Sequence, residues 1–274
     1  MKQHLIFASA ALALAGCATG NQMAGRAPAD VIPPPSMVSE LDTAAATNAI
    51  DNPNRPETDT ERDDLRRPMD VLAFMGIPTG VSILEMEAGG GYFTEIFSRY
   101  VGEDGKVYMQ NPASFDAFLG NALEQRLDGL DNVEYVKANF DELPLEDASM
   151  DVATWFQGPH ELWYSPEGSD ALVTNPDDSF PEIFRVLKPG ARFVVIDHSA
   201  PEGSPATVGG ETHRIDPQII RDLGMEAGFI LVAESDLFDN PDDDLSANIF
   251  EEAVRGRTDQ VMMMFEKPAT APAP

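Results

Sequence analysis

The stretch Ile83-Leu84-Glu85-Met86-Glu87-Ala88-Gly89-Gly90-Gly91-Tyr92-Phe93-Thr94 decides how this chain folds. It opens in a short apolar run, 81–86, of strand type, and closes in an amphipathic run, 92–101, of helix type. Between them the three glycines let the chain leave a strand, turn sharply and enter a helix while the backbone comes close to a ligand. By themselves they establish only a tight turn.

The same alternation continues on both sides. Upstream, Leu65, Met69, Leu72 and Ala73 predict a helix over 63–74, ended by Gly76. Downstream, strands are expected over 106–110, 133–138, 152–156, 192–197, 230–234 and 260–266, with helices over 114–127, 181–187 and 217–227. The last helix has Asp216 as its cap, Pro217 in its first turn and Gly228 as its stop. Strands alternating with helices build a parallel sheet covered on its faces, within one domain over 61–267. In such a sheet ligands bind outside the carboxyl ends of the strands, where Glu85, Gly89, Asn111, Asn139 and Phe156 fall.

Read with its neighbours, the glycine turn resembles the first motif of the class I S-adenosylmethionine-dependent methyltransferases, an acid at a strand end followed by a glycine-rich turn. Phe184-Arg185-Val186-Leu187-Lys188-Pro189-Gly190-Ala191-Arg192-Phe193-Val194-Val195-Ile196-Asp197 resembles that family's helix and fifth strand. Asn139-Phe140-Asp141-Glu142-Leu143-Pro144-Leu145 and Met150-Asp151-Val152 resemble its adenine-side loop and fourth strand. The stretches Thr212-His213-Arg214-Ile215-Asp216-Pro217 and Arg255-Gly256-Arg257-Thr258-Asp259-Gln260 resemble a narrower group of exported methyltransferases of Gram-negative bacteria.

The resemblance implies a Rossmann-like, doubly wound α/β fold. Its sheet would have seven strands, mostly parallel, with helices on both faces and an antiparallel edge strand. It also implies S-adenosylmethionine as cofactor, with Glu85, Gly89 and Gly91 shaping the methionine pocket, Asn139 and Phe140 flanking the adenine, and Phe156 at the end of the fourth strand. Asn111 stands where the family places an acid on the ribose hydroxyls; its amide can accept one hydrogen bond and donate another. Glu87 replaces the first glycine of the turn, and its carboxylate either faces inward towards the sulfonium or outward as a surface acid.

Histidines beyond residue 16 number three, His160, His198 and His213, all expected on the cofactor rim. Each is a candidate catalytic base, in that order of preference, because imidazole titrates near neutral pH. Each could instead only hydrogen-bond a loop. Glu161, Trp163 and Tyr164 are expected beside His160 in the acceptor pocket. No metal is expected, since no closely spaced pair such as H-x-x-x-H is present, and Asp242-Asp243-Asp244 lacks the spacing of a calcium loop.

The N-terminus has a separate logic. Lys2, an apolar run over 5–15 and Leu14-Ala15-Gly16-Cys17 resemble a lipoprotein signal, with residues 1–16 removed and Cys17, the chain's one cysteine, lipidated. An ordinary signal peptide is the alternative. Residues 17–60, rich in Ala and Pro, are expected to be a tether, and 268–274 a flexible tail. This places the protein on the periplasmic face of a membrane, the outer rather than the inner, held through its lipid.

The formal net charge of −29 becomes one unit more negative once Lys2 is removed. Such a surface disfavours nucleic acid and anionic headgroups. The expected function is methyl transfer to a small or envelope-borne acceptor. A binding or scaffold lipoprotein without turnover is the alternative, and a nicotinamide oxidoreductase is disfavoured because G-x-G-x-x-G is absent. Oligomeric state is not legible.

Overall fold

The structure, a computed structural model, describes residues 40–165, 172 and 174–269. Cys17 and most of the expected tether and tail lie outside the described residues. Among those described, seven strands form one sheet: β1 (Ser82–Met86), β2 (Lys106–Asn111), β3 (Val133–Lys137), β4 (Met150–Phe156), β5 (Leu187–His198), β6 (Ile230–Ser235) and β7 (Gln260–Glu266). Their order is β3-β2-β1-β4-β5-β7-β6. Strands β1 to β5 pair in parallel, and β7 runs antiparallel between β5 and β6 at one edge. The Rossmann-like expectation therefore stands.

Strand period two divides the core between the two faces. Ile83, Val194, Met262 and Met264 pack on one side with the helix Tyr92–Val101, while Leu84, Val195, Met263 and Phe265 pack on the other with the helix Pro176–Val186. In Tyr92–Val101 the buried Phe93, Ile96, Phe97, Tyr100 and Val101 recur at helical spacing. Each such apolar side chain contributes about 1.5–3 kcal/mol by leaving water. No described helix is long and apolar enough to cross a membrane.

Three local expectations are corrected. The region 63–74 is not one helix but two, Asp63–Arg66 and Pro68–Met75, because Arg67 takes a left-handed φ of 46° in front of a proline. The helix expected over 114–127 breaks into Ala113–Phe115, Asp116–Leu119 and Ala122–Leu127, divided at Gly120. The helix expected to start at Pro181 starts at Pro176, since the capping side chain is Asn175, whose Oδ1 accepts from the Asp177 N–H.

The tether is also shorter than expected. Residues Thr43–Ile50 form a helix whose Ala46 and Ala49 are buried in the core. Beyond it, the Arg55 guanidinium holds Asp63 by two bonds of 2.7 and 2.8 Å. Small apolar groups and paired charges bury this segment, so its composition resembles a linker.

Candidate active site

At β1 the chain's path reverses: β2 and β3 lie on one side of it and β4 and β5 on the other. A crevice opens outside the strand ends at such a switch point. The turn that follows β1 enters it, and the β2 end fixes that turn. Gln110 accepts the Ala88 N–H on its carbonyl at 2.9 Å and the Glu87 N–H on its Oε1 at 2.8 Å. Asn111 Oδ1 accepts the Gly89 N–H at 2.8 Å, and Asn111 Nδ2 donates to the Gly89 carbonyl at 3.1 Å.

Gly89 and Gly91 have φ of 57° and 80°, the left-handed region that other residues occupy at a cost. No atom lies within 4 Å of where a Cβ on Gly89 or Gly90 would stand, so the backbone there is open to a ligand. Arg126 anchors the turn from outside, donating to the Gly90 carbonyl at 2.8 Å and pairing with Glu95 and Asp59 at 2.5 and 2.7 Å.

Glu85 is buried and accepts from the Thr94 hydroxyl at 2.5 Å. Burial pushes its carboxyl up to about 8 against the opposing effects of Thr94, Arg66 and Arg126. Glu87 resolves its two alternatives inward. It takes a φ of 50° and accepts from Trp155 Nε1 at 2.8 Å. Burial, and then Glu161, raise its carboxyl well above the usual range.

The three histidines lie near one another, with ring centroids 6.0 Å apart for His160 and His198 and 5.4 Å for His160 and His213. His160 sits on the turn Pro159–Trp163, where its Nδ1 meets Asp197 Oδ1 at 2.6 Å and its N–H donates to Asp197 Oδ2 at 2.8 Å. Burial opposes a charge on this ring, but Asp197 and Glu161 more than offset that and push it up to about 10. Asp197 and Glu161 thus favour the charged ring, which makes His160 a poorer proton acceptor than a free imidazole.

His198 meets Thr258 Oγ1 at 2.7 Å and stays neutral, its basicity lowered by burial and then by the charge on His160. His213 meets Glu161 Oε1 at 2.8 Å through Nδ1 and is the most exposed of the three. Burial works against the Glu161 charge, but the two histidines hold its carboxyl down at about 2.

Other expected residues are not brought to this cluster. Asn139 is exposed beyond the end of β3, consistent in position with an outer loop. Phe140 turns into the core, its ring 4.9 Å from Trp155, which corrects the expectation that it faces an adenine. Phe156 lies on the other face, edge-on to Phe93 at 4.9 Å, in a small cleft with Leu65, Arg66 and Gln157. Asn111 is buried and engages Gly89 through both Oδ1 and Nδ2.

Sequence reading assigned no role to Asp197, Trp155, Gln110 or Arg126. Asp197 alone had a signal, as an acid ending a strand beside the crevice. In the loop Asp242-Asp243-Asp244, Asp243 is buried and holds Arg214 at 2.9 and 3.0 Å.

Residues 63–215 match the ubiE/COQ5 methyltransferase family. The chain is 33% identical over 126 residues to the ubiquinone/menaquinone biosynthesis C-methyltransferase UbiE of Escherichia coli K12, covering 46% of this chain and 46% of that relative. It thus spans about half the length of the curated relatives it matches. Among solved structures it is similar to a SAM dependent methyltransferase from Aquifex aeolicus, with a TM-score of 0.55, 22% identity, and coverage of 80% of this chain and 96% of that one. It is also similar to a chain of the complex between the Haloferax volcanii Trm112 methyltransferase activator and the putative methyltransferase, with a TM-score of 0.57, 18% identity, and coverage of 87% and 100%.

Proposed function

Because the chain belongs to the ubiE/COQ5 methyltransferase family, we propose that it transfers a methyl group from S-adenosylmethionine to a small or envelope-borne acceptor. The observation that carries this reading is the open backbone at Gly89 and Gly90, beside inward-facing Glu87 and the histidine cluster. The turn suits the cofactor: the space beside Gly89 and Gly90 is open, and the helix Tyr92–Val101 begins close behind.

S-adenosylmethionine would supply an electrophilic methyl on a sulfonium. Gly89, Gly90 and Gly91 would hold the cofactor by backbone, Glu85 would shape the methionine side, and Asn139 would edge the adenine side. The UbiE relatives are named C-methyltransferases, and a carbon acceptor becomes nucleophilic when a neighbouring hydroxyl or C–H loses a proton. His213 is suited to accept that proton, because its Nδ1 is oriented by Glu161, as a base is oriented by a carboxylate in a triad. His160, held charged by Asp197, would stabilise negative charge developing on the acceptor.

The protein would work at the periplasmic face of a membrane, anchored through a lipid on Cys17. A second reading, a scaffold lipoprotein without turnover, is favoured by the commitment of Asn111 to Gly89. Methyl-labelled S-adenosylmethionine incubated with the protein and an extract of the envelope separates the two. Label should enter an acceptor with the intact protein and not with Gly89→Val; equal labelling with both, or none with either, contradicts methyl transfer.

A further inference from the structure

Two short turns bring three metal-ligating side chains to one point. His160 and Glu161 lie on the turn Pro159–Trp163, and His213 ends the helix Gly209–Thr212. His160 Nε2 is 3.4 Å from Glu161 Oε1, His213 Nδ1 is 2.8 Å from the same oxygen, and one donor atom from each residue lies within 4.8 Å of the others. We propose that His160, Glu161 and His213 form a binding site for a divalent transition-metal cation such as Zn²⁺. The site shares His160 and His213 with the methyl-transfer reading, while its occupancy by a cation is tested without that reading.

The distances suit such an ion. Ligands roughly 2.0–2.2 Å from zinc stand about 3.4 Å apart in a tetrahedron. The His160 and Glu161 atoms already have that separation; a pair at the 4.8 Å limit would close by about 1.4 Å and the His213–Glu161 pair at 2.8 Å would open by about 0.6 Å, both within reach of side-chain adjustment.

The surroundings hold the ligands as metal sites do. Asp197 takes His160 Nδ1, with its two oxygens also accepting the backbone N–H groups of His160 and His198 at 2.8 Å each. Binding would displace the Nε2 proton of the charged ring to solvent, and the proton kept on Nδ1 by Asp197 would then leave Nε2 to face the ion, the arrangement in which a carboxylate orients a ligating imidazole. His213 is held at a φ of 56°, a strained backbone for so large a residue, with the Phe250 ring packed at 4.9 Å.

Charge points the same way. Two carboxylates flank the two rings, Asp197 at His160 Nδ1 and Glu161 between His160 Nε2 and His213 Nδ1, and their charges would complement a dication. Two imidazoles and one carboxylate leave coordination positions open, and partial exposure of Glu161 and His213 lets water reach them. With the ion bound, a water on it would replace His213 as the proton acceptor facing the substrate. The sequence hid the site because His213 lies 52 residues from Glu161.

The test is calorimetric titration of the chelator-treated full chain with Zn²⁺, with thermal melting of the same samples. One Zn²⁺ per chain should bind and raise the melting temperature. Affinity should fall at least 100-fold in His213→Ala and in Glu161→Gln, and about 10–100-fold in Asp197→Asn, where the orienting carboxylate is lost. Glu161→Gln is nearly isosteric, so a fold defect in His213→Ala does not remove the test. Absence of zinc binding overturns the proposal. So does binding of equal strength in all variants, which would place the ion elsewhere on the acidic surface. S-adenosylhomocysteine binding on the same preparations reports separately on the cofactor reading.

Discussion

Asn111 grips Gly89 by both of its backbone polar groups, its Oδ1 accepting the N–H at 2.8 Å and its Nδ2 donating to the carbonyl at 3.1 Å. The end of β2 thus sets the shape of the turn after β1. Asn111→Ala leaves two backbone groups without partners and should destabilise the fold by about 1–3 kcal/mol. Asn111→Asp should cost at least as much at neutral pH, since a carboxylate oxygen would face the Gly89 carbonyl, and should partly recover as pH falls. Urea denaturation of the two variants checks this; an unchanged midpoint for both would show that the clamp is dispensable.

The His160 and Asp197 pair makes stability depend on pH. His160 is raised from an ordinary 6.5 to about 10, so its contribution is fully present below about pH 6.5 and is lost as pH rises through about 10. In chelator-treated protein the unfolding free energy should therefore decline across that window. Asp197→Asn should be less stable at neutral pH and should flatten the decline. His160 ring resonances followed by NMR should titrate only at the alkaline end in the wild type.

Gly158 leaves no room beside the bond between Glu87 and Trp155, because a Cβ there would collide with Glu87 Oε2 and Trp155 Nε1. Gly158→Ala should separate the two groups, cost about 1–3 kcal/mol through the unpaired buried polar atoms, and shift the fluorescence of Trp155. An unaltered spectrum would place the Glu87 carboxylate elsewhere.

The proposed membrane attachment would run through Cys17 in the signal-like N-terminus. Cys17→Ser expressed in the native host should leave the membrane fraction and lose its acyl mass. Retention of the variant in that fraction would contradict the lipid anchor.

The strands were legible because both faces of this sheet are covered: Ile83 and Leu84 are adjacent and both buried, as are Val194 and Val195. The glycine turn was legible because only glycine takes φ of 57° and 80° cheaply. What sequence could not give was parity and partnership. Phe156 ends β4, where the pleat decides the side its ring takes, and Phe140 lies in the turn beyond β3, where the loop path decides it. His160 looked like a free base until Asp197, 37 residues away, was found against it. Residues 43–60 read as a linker because Ala46, Ala49, Arg55 and Asp59 give no apolar stripe, though all four are buried.

The central claim is that the backbone at Gly89 receives S-adenosylmethionine. Calorimetry of the full chain with S-adenosylhomocysteine tests it most directly, comparing the wild type with Gly89→Val and His213→Ala. The wild type and His213→Ala should both show saturable binding at one ligand per chain, and Gly89→Val should show none while remaining folded by circular dichroism. No heat from the wild type at millimolar ligand, or undiminished binding by Gly89→Val, would contradict it.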